Sequence, residues 1–198
     1  MQGGEAISDI LTGAVDPSGH LPVTFPVSID QYPRSGPLPG IDLPAGQVFD
    51  VHYDEGADIG YKRLAKLHQK PLFPFGFGLS YTTFGYSDVK VTGGDTLTVS
   101  FKVTNTGKLP GKAAPQVYLN QTPSEALKRL VGFAKIDLAP GEAKTVTLSA
   151  DPRLLAHFDT VANDWTVEGG AYAVSVAQDA EDTGIAGSAK VKARKLKP

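Results

Sequence analysis

In the stretch TLTVSFKVTN, Leu97, Val99, Phe101 and Val103 alternate with Thr98, Ser100, Lys102 and Thr104. A period of two is that of a strand with one face buried and one face wet. The alternation returns in KTVTLSAD with Val146 and Leu148, and in AYAVSVAQ with Tyr172, Val174 and Val176. QVYLNQ, LVGFAKIDL and DWTV add further short runs, and TNTGKLPG, LAPGE and VEGG supply turn residues between them. Residues 84–198 therefore read as a β-sandwich of two sheets.

The chain before residue 84 has a different texture. GEAISDILT places Ala6, Ile7, Ile10 and Leu11 in one stripe at helical period, with Gly13 as a C-cap, which predicts a short helix over 4–12 with one buried face. DPSG, residues 16–19, carries the proline and glycine of a β-turn. HLPVTFP alternates Leu21, Val23 and Phe25 against two prolines, and prolines restrict a strand to a sheet edge. Across residues 27–51, Pro33, Pro37, Pro39 and Pro44 break every periodic window, leaving a long loop of the kind that packs on a neighbour or serves function. DVHYDEGADIGYKRLAK, residues 50–66, predicts a short strand, a turn, and a second strand or helical turn. PLFPFGFGLSYTTF, residues 71–84, is an aromatic hinge: a turn at Gly76 and Gly78, then Tyr81, Phe84 and Tyr86 to pack one unit against the next. The expected fold class is mainly β, a partial α/β segment over residues 1–83 followed by a sandwich over 84–198, about seven strands, the count of a fibronectin type III-like or immunoglobulin-like domain.

Composition agrees with a folded β-rich protein. Apolar residues make up 41% and charged residues 20%, and 22 glycines with 15 prolines favour turns and short strands over long helices. The formal net charge of −2 is spread along the chain, apart from the terminal cluster Lys190, Lys192, Arg194, Lys195 and Lys197. A nucleic-acid surface needs clustered cations, so no nucleic-acid partner is expected, and a solvated last strand accounts for the tail. No stretch reaches the length of a membrane span. With no cysteine, a disulfide, a thiolate nucleophile and a zinc–cysteine site are all excluded. Met1 is followed by QGGEAISD and not by a basic and then apolar leader, an opening that reads as part of something longer.

Candidate chemistry is sparse. Glycosidic cleavage needs two carboxyl groups on opposite sides of a bond, but the adjacent Asp54 and Glu55 would point to opposite faces of a strand. A solvated turn is the favoured reading, with Glu55 before Gly56 as a residue to line a cleft; Tyr53, Asp54, Glu55 and Tyr61 form the substrate-cleft candidates, none of them catalytic. His20, His52, His68 and His157 lack metal-ligand spacing, and no metal or cofactor is implied. Trp165, Tyr118, Tyr172 and Phe133 have the chemistry to stack on sugar rings, although Trp165 and Tyr172 fall where a sandwich core wants large aromatics. Asn120 opens the glycosylation sequon NQT.

Three segments in this order, GGEAISDILTGAVDPSGHLPVTFP, YDEGADIGYKRL and PLFPFGFGLSYTTF, resemble the C-terminal part of glycoside hydrolase family three, the β-glucosidase and β-xylosidase group. LVGFAKIDLAPGEAKTVTL and WTVEGGAYAVSVA resemble the fibronectin type III-like domain of many members. The resemblance implies a parent enzyme in which a (β/α)8 barrel supplies an aspartate nucleophile and an α/β sandwich domain a glutamate acid/base. Neither motif has a match here, since NDW at 163–165 lies in the sandwich and Glu5 falls downstream of the acid/base. It also implies a β-glucoside as substrate of the intact enzyme, the barrel and sandwich domains as partners, and a periplasmic or secreted location. GYKRLAK departs from the common pattern of an arginine and an aromatic after the tyrosine, so no substrate role passes to Lys62 or Leu64. A free-standing carbohydrate- or protein-binding sandwich module is the alternative.

Overall fold

The computed structural model describes residues 3–33 and 52–197. In chain order its strands are β1 (Phe84–Thr92), β2 (Thr98–Asn105), β3 (Gly111–Ala113), β4 (Gln116–Gln121), β5 (Ala126–Phe133), β6 (Ile136–Leu138), β7 (Ala143–Ser149), β8 (His157–Asp159), β9 (Asp164–Val167), β10 (Gly170–Ala177), β11 (Ile185–Val191) and β12 (Arg194–Leu196). The main sheets run β1-β2-β7 and β11-β10-β4-β5, with small sheets β12-β9-β8 and β3-β6 at their ends. Every paired strand is antiparallel.

The period-two pattern explains the core. Val99, Phe101 and Val103 lie opposite Leu148, Val146 and Lys144 of β7, and Leu97, Val99, Phe101 and Val103 are all buried. From the facing sheet, Val117 and Leu119 of β4 meet Val176 and Val174 of β10 and are equally buried. Interdigitation of two such faces excludes water from a layer about 10 Å thick. Trp165 contributes from the side, half-buried against that cluster with its ring 5.3 Å from Phe158. Twelve strands among the described residues exceed the expected seven because four of them, β3, β6, β8 and β12, are three residues long.

Residues before 84 depart further from expectation. The helix forms as α1 (Gly3–Leu11) and ends at Gly13, whose φ of 78° suits a C-cap. Its apolar stripe, however, is not covered: Ile7 is 62% and Leu11 77% exposed, and no residue of α1 is buried. DPSG makes no turn. Asp16 instead takes hydrogen bonds from Ser80 Oγ, 3.0 Å to each carboxylate oxygen, and from the Tyr81 amide at 2.6 Å, which draws the segment across to residues 80–81. HLPVTFP is no sheet strand either; Pro22 and Pro26 offer no amide, and the segment makes a single bridge, Phe25 to Phe73. Leu21 and Gly76 extend that contact, with Leu21 N donating to Phe77 O and Gly76 N to Leu21 O, both at 2.8 Å.

Where no regular element was expected, Ile29–Gln31 form one 3-10 turn, held by Gln31, whose Oε1 accepts from Val27 N at 2.7 Å and whose Nε2 donates to Lys70 O at 3.0 Å. The rest of the proline-rich loop, 34–51, lies outside the described residues, as does the start of the strand expected from residue 50. Residues 54–57 form a turn, and the next element is helical: α2 (Tyr61–Lys66), entered through Gly60 at φ 56°. A helix wins here because Tyr61 and Leu64, three residues apart, share one face and Leu64 is buried on it.

Candidate functional site

The four cleft candidates separate into two places. Tyr53, Asp54 and Glu55 share one surface turn, in which Gly56 N donates to Tyr53 O at 3.0 Å and Asp58 N to Glu55 O at 3.1 Å. Gly56 has φ 57°, a conformation that favours glycine and lets the chain reverse directly after the carboxylates. Tyr53 is 71% exposed, Asp54 is exposed and Glu55 half-buried, so this turn shows the Tyr53 ring and the Asp54 carboxylate to solvent. Tyr61 points the other way. Its ring lies 4.9 Å from Phe75 and 5.9 Å, edge-on, from Tyr118, and its hydroxyl accepts from the Leu130 amide of β5 at 3.0 Å. Burial pushes the Tyr61 hydroxyl above the ordinary tyrosine pKa, while the Leu130 bond and the Arg129 charge oppose that rise. It is a neutral group at any physiological pH, and its contacts are those of an anchor.

Beside Tyr61 runs a polar network that the sequence did not announce. Gln116, the first residue of β4, is buried; its Nε2 donates to Gly76 O at 3.1 Å and to Gln178 O at 2.5 Å, and its Oε1 accepts from Tyr118 Oη at 2.5 Å. Gly76 is the hinge glycine, with φ 83° and the Gln116 amide where a Cβ would stand, so a larger residue would strain the backbone and push the amide aside. Phe75 O accepts from Ala180 N at 3.0 Å. The aromatic hinge is thus a real contact, though its parts divide: Phe84 and Tyr86 pack on the sandwich core, whereas Tyr81 reaches back and donates to Ile10 O at 2.7 Å, at the C-terminal end of α1. Gln116 could not be found from sequence, because a polar residue at a strand start is unremarkable until its partners are known.

Other candidates are occupied structurally. Tyr118 and Tyr172 are buried, and Tyr172 donates to Glu168 O at 2.9 Å. Phe133 is exposed and stands opposite Gln116 in the β4–β5 register. The sequon residue Asn120 lies within β4 and donates through Nδ2 to Ser175 Oγ at 2.9 Å. In the terminal cluster Lys195 pairs with Asp164 at 3.0 Å and Lys192 with Asp95 at 3.5 Å. Among the described residues no three His, Asp or Glu side chains are grouped to hold a metal ion, and no helix is long and apolar enough to cross a membrane. A recess of about 360 Å³ lies between α2 and β5, lined by Asp58, Lys62, Lys66, Glu125, Lys128 and Arg129 among others. Its named cations outnumber its carboxylates, and one pair is closed, Lys66 with Asp58 at 2.5 Å, while Lys128 lies 4.7 Å from the Tyr118 ring centre.

The sequence model of the glycosyl hydrolase family 3 C-terminal domain matches residues 1–81, and that of the fibronectin type III-like domain matches residues 113–180. Beta-glucosidase B of Emericella nidulans is 41% identical over 211 residues, an alignment that takes in 100% of this chain and 25% of that protein. The chain belongs to glycosyl hydrolase family 3. Thermostable beta-glucosidase B of Acetivibrio thermocellus is similar at 40% identity, covering 95% of the chain and again 25% of the relative. Among solved structures, beta-glucosidase 3B from Thermotoga neapolitana in complex with glucose superposes with a TM-score of 0.88 at 36% identity, over 100% of this chain and 28% of its own. This family 3 chain thus spans about a quarter of the length of the curated relatives it matches.

Proposed function

We propose that residues 1–83 are the last part of the α/β sandwich domain, and residues 84–198 the fibronectin type III-like domain, of a retaining β-glucosidase. The similarity that runs the whole length of the chain to β-glucosidases four times as long carries this reading. The boundary is supported by β1 starting at Phe84 and by the two family segments, which end at residue 81 and begin at residue 113. The surface supports it as well. Ile7, Leu11, Val23, Phe25 and Val27 all stand open to solvent, and a free-standing binding module has no use for so much uncovered apolar surface in one short segment.

In the intact enzyme one carboxylate attacks the anomeric carbon while a carboxylic acid protonates the leaving oxygen, and the same acid, now a base, delivers water to the glycosyl-enzyme. Both groups belong to the domains outside this chain. The Tyr53–Glu55 turn contributes to the wall of the cleft, shaping access without covalent chemistry. The test is direct: the full-length protein releases nitrophenol from a nitrophenyl β-glucoside with retention at the anomeric carbon, and residues 1–198 alone release none. Turnover by residues 1–198 that disappears in Asp54→Asn or Glu55→Gln would overturn the assignment.

A further inference from the structure

We propose that Gln116 is a positioning residue: through Gly76 and Tyr118 it clasps the segment leading from the Tyr53–Glu55 turn to the hinge onto the β-sandwich, so that the sandwich sets where this turn stands. The proposal deepens the reading of the turn as cleft wall and rests on it.

The amide of Gln116 is saturated by partners from three places. Both Nε2 protons are used, one on Gly76 O in the hinge and one on Gln178 O after β10, and Oε1 takes the hydroxyl proton of Tyr118. Fixing the Tyr118 hydroxyl orients a fully buried ring, with which the Tyr61 ring makes a T-shaped contact. Tyr61 is the first residue of α2 and is separated from the turn at 54–57 by three residues, 58–60, so its place limits where that turn can stand. Two bonds brace the same parts from outside the amide, Leu130 N to Tyr61 Oη at 3.0 Å and Ala180 N to Phe75 O at 3.0 Å. Gly76, which has no room for a Cβ, shows how closely hinge backbone and amide meet. A hydrogen-bonded network of this kind in a low-dielectric interior has one satisfied geometry, and displacement strands several buried groups at once. A catalytic cleft is sensitive to such displacement, since misplacement by about 1 Å costs up to about 100-fold in rate.

The experiment uses the full-length protein, with Gln116→Leu, Tyr61→Phe and Tyr61→Ala beside Thr147→Ala, an exposed sandwich position, as control. Hydrogen exchange over residues 53–77 is compared with exchange over β2, and kcat and KM on a nitrophenyl β-glucoside are taken per active site titrated with a mechanism-based inactivator. Gln116→Leu is expected to speed exchange over 53–77 at least tenfold while β2 stays protected, and to lower kcat/KM about tenfold per titrated site. Tyr61→Phe, which keeps the ring, is expected to retain most activity where Tyr61→Ala loses it. A merely structural role would lower the yield of titrated sites and leave kcat and KM of the survivors unchanged, and that outcome overturns the proposal; so does unchanged exchange over 53–77. Should Gln116→Leu fail to fold, the Tyr61 pair decides between the two. A wild-type protein inactive on every aryl β-glycoside would refute the glucosidase assignment, whereas the exchange measurement would still decide the clasp.

Discussion

Asn105 illustrates how much a single polar side chain holds in this molecule. It is completely buried at the end of β2, where Nδ2 donates to Leu109 O at 2.8 Å and Leu138 O at 3.1 Å, while Oδ1 accepts from Thr82 Oγ at 2.7 Å and Gly107 N at 3.0 Å. Thr82 lies just before β1, so this amide ties the hinge to the β2–β3 turn and to β6. Each such bond contributes roughly 1 kcal/mol net, and each buried partner left unsatisfied costs about 1–3 kcal/mol. Asn105→Ala is therefore expected to destabilise the chain by about 3 kcal/mol or more, and Thr82→Val by about 1 kcal/mol, measured as a shift in the urea midpoint at constant slope. Equal, small effects for both would mean that water replaces the amide. In sequence Asn105 is only the polar end of TVSFKVTN, because two of its four partners come from 23 and 33 residues away. Gln116 was hidden for the same reason, and Tyr61 was legible as an aromatic near a glycine but not as one turned inward. Val99 and Phe101, by contrast, declare their burial through their immediate neighbours.

Among the elements, those whose period outlasts about five residues were legible: α1, β2, β7 and β10 lie within a residue or two of where the pattern put them. Strands of three residues carry no period, which is why β3 and β8 escaped, while β6 and β12 were read only as parts of longer runs, LVGFAKIDL and the last strand. HLPVTFP failed for another reason. Alternation is necessary for a strand but not sufficient, and a segment whose prolines remove amides can bridge at one point without joining a ladder. The helical stripe of α1 predicts a buried face, but a stripe does not say by what, and among the described residues nothing buries it. This has a measurable consequence. In the 198-residue chain Ile7→Ser and Leu11→Ser should change stability by less than about 0.5 kcal/mol, as for exposed positions, and amides of residues 3–11 should exchange far faster than those of β2. In the full-length protein the same substitutions should lower stability by about 1–3 kcal/mol each, the scale of uncovering a buried apolar side chain. Protection of α1 equal to β2 in the short chain would show that it packs by itself.

At the scale of the whole molecule, the sandwich is a finished core, whereas the N-terminal segment is built of contacts made at its edges. Asp16 holds residues 80–81, Tyr81 holds α1, Gln31 holds Lys70, Tyr61 holds α2 to the sheet, and Gln116 holds the hinge to it. Such a segment has little interior of its own and takes its position from its neighbours, which suits a piece whose surface faces another domain. The Tyr53–Glu55 turn stands outward on that segment, and Glu55 is its half-buried carboxylate. If the turn forms part of the cleft wall, Glu55→Ala in the full-length protein should lower kcat/KM on a nitrophenyl β-glucoside by about tenfold, equivalent to about 1.4 kcal/mol of transition-state stabilisation. The amount of folded protein and the urea midpoint should change little, since a turn already closed by backbone bonds from Gly56 and Asp58 keeps its shape without the side chain. Asp54→Ala, at the exposed neighbour, should have the smaller kinetic effect. Kinetics unchanged by Glu55→Ala, or a loss of activity that follows the loss of folded protein alone, would leave the turn as scaffold and remove it from the cleft.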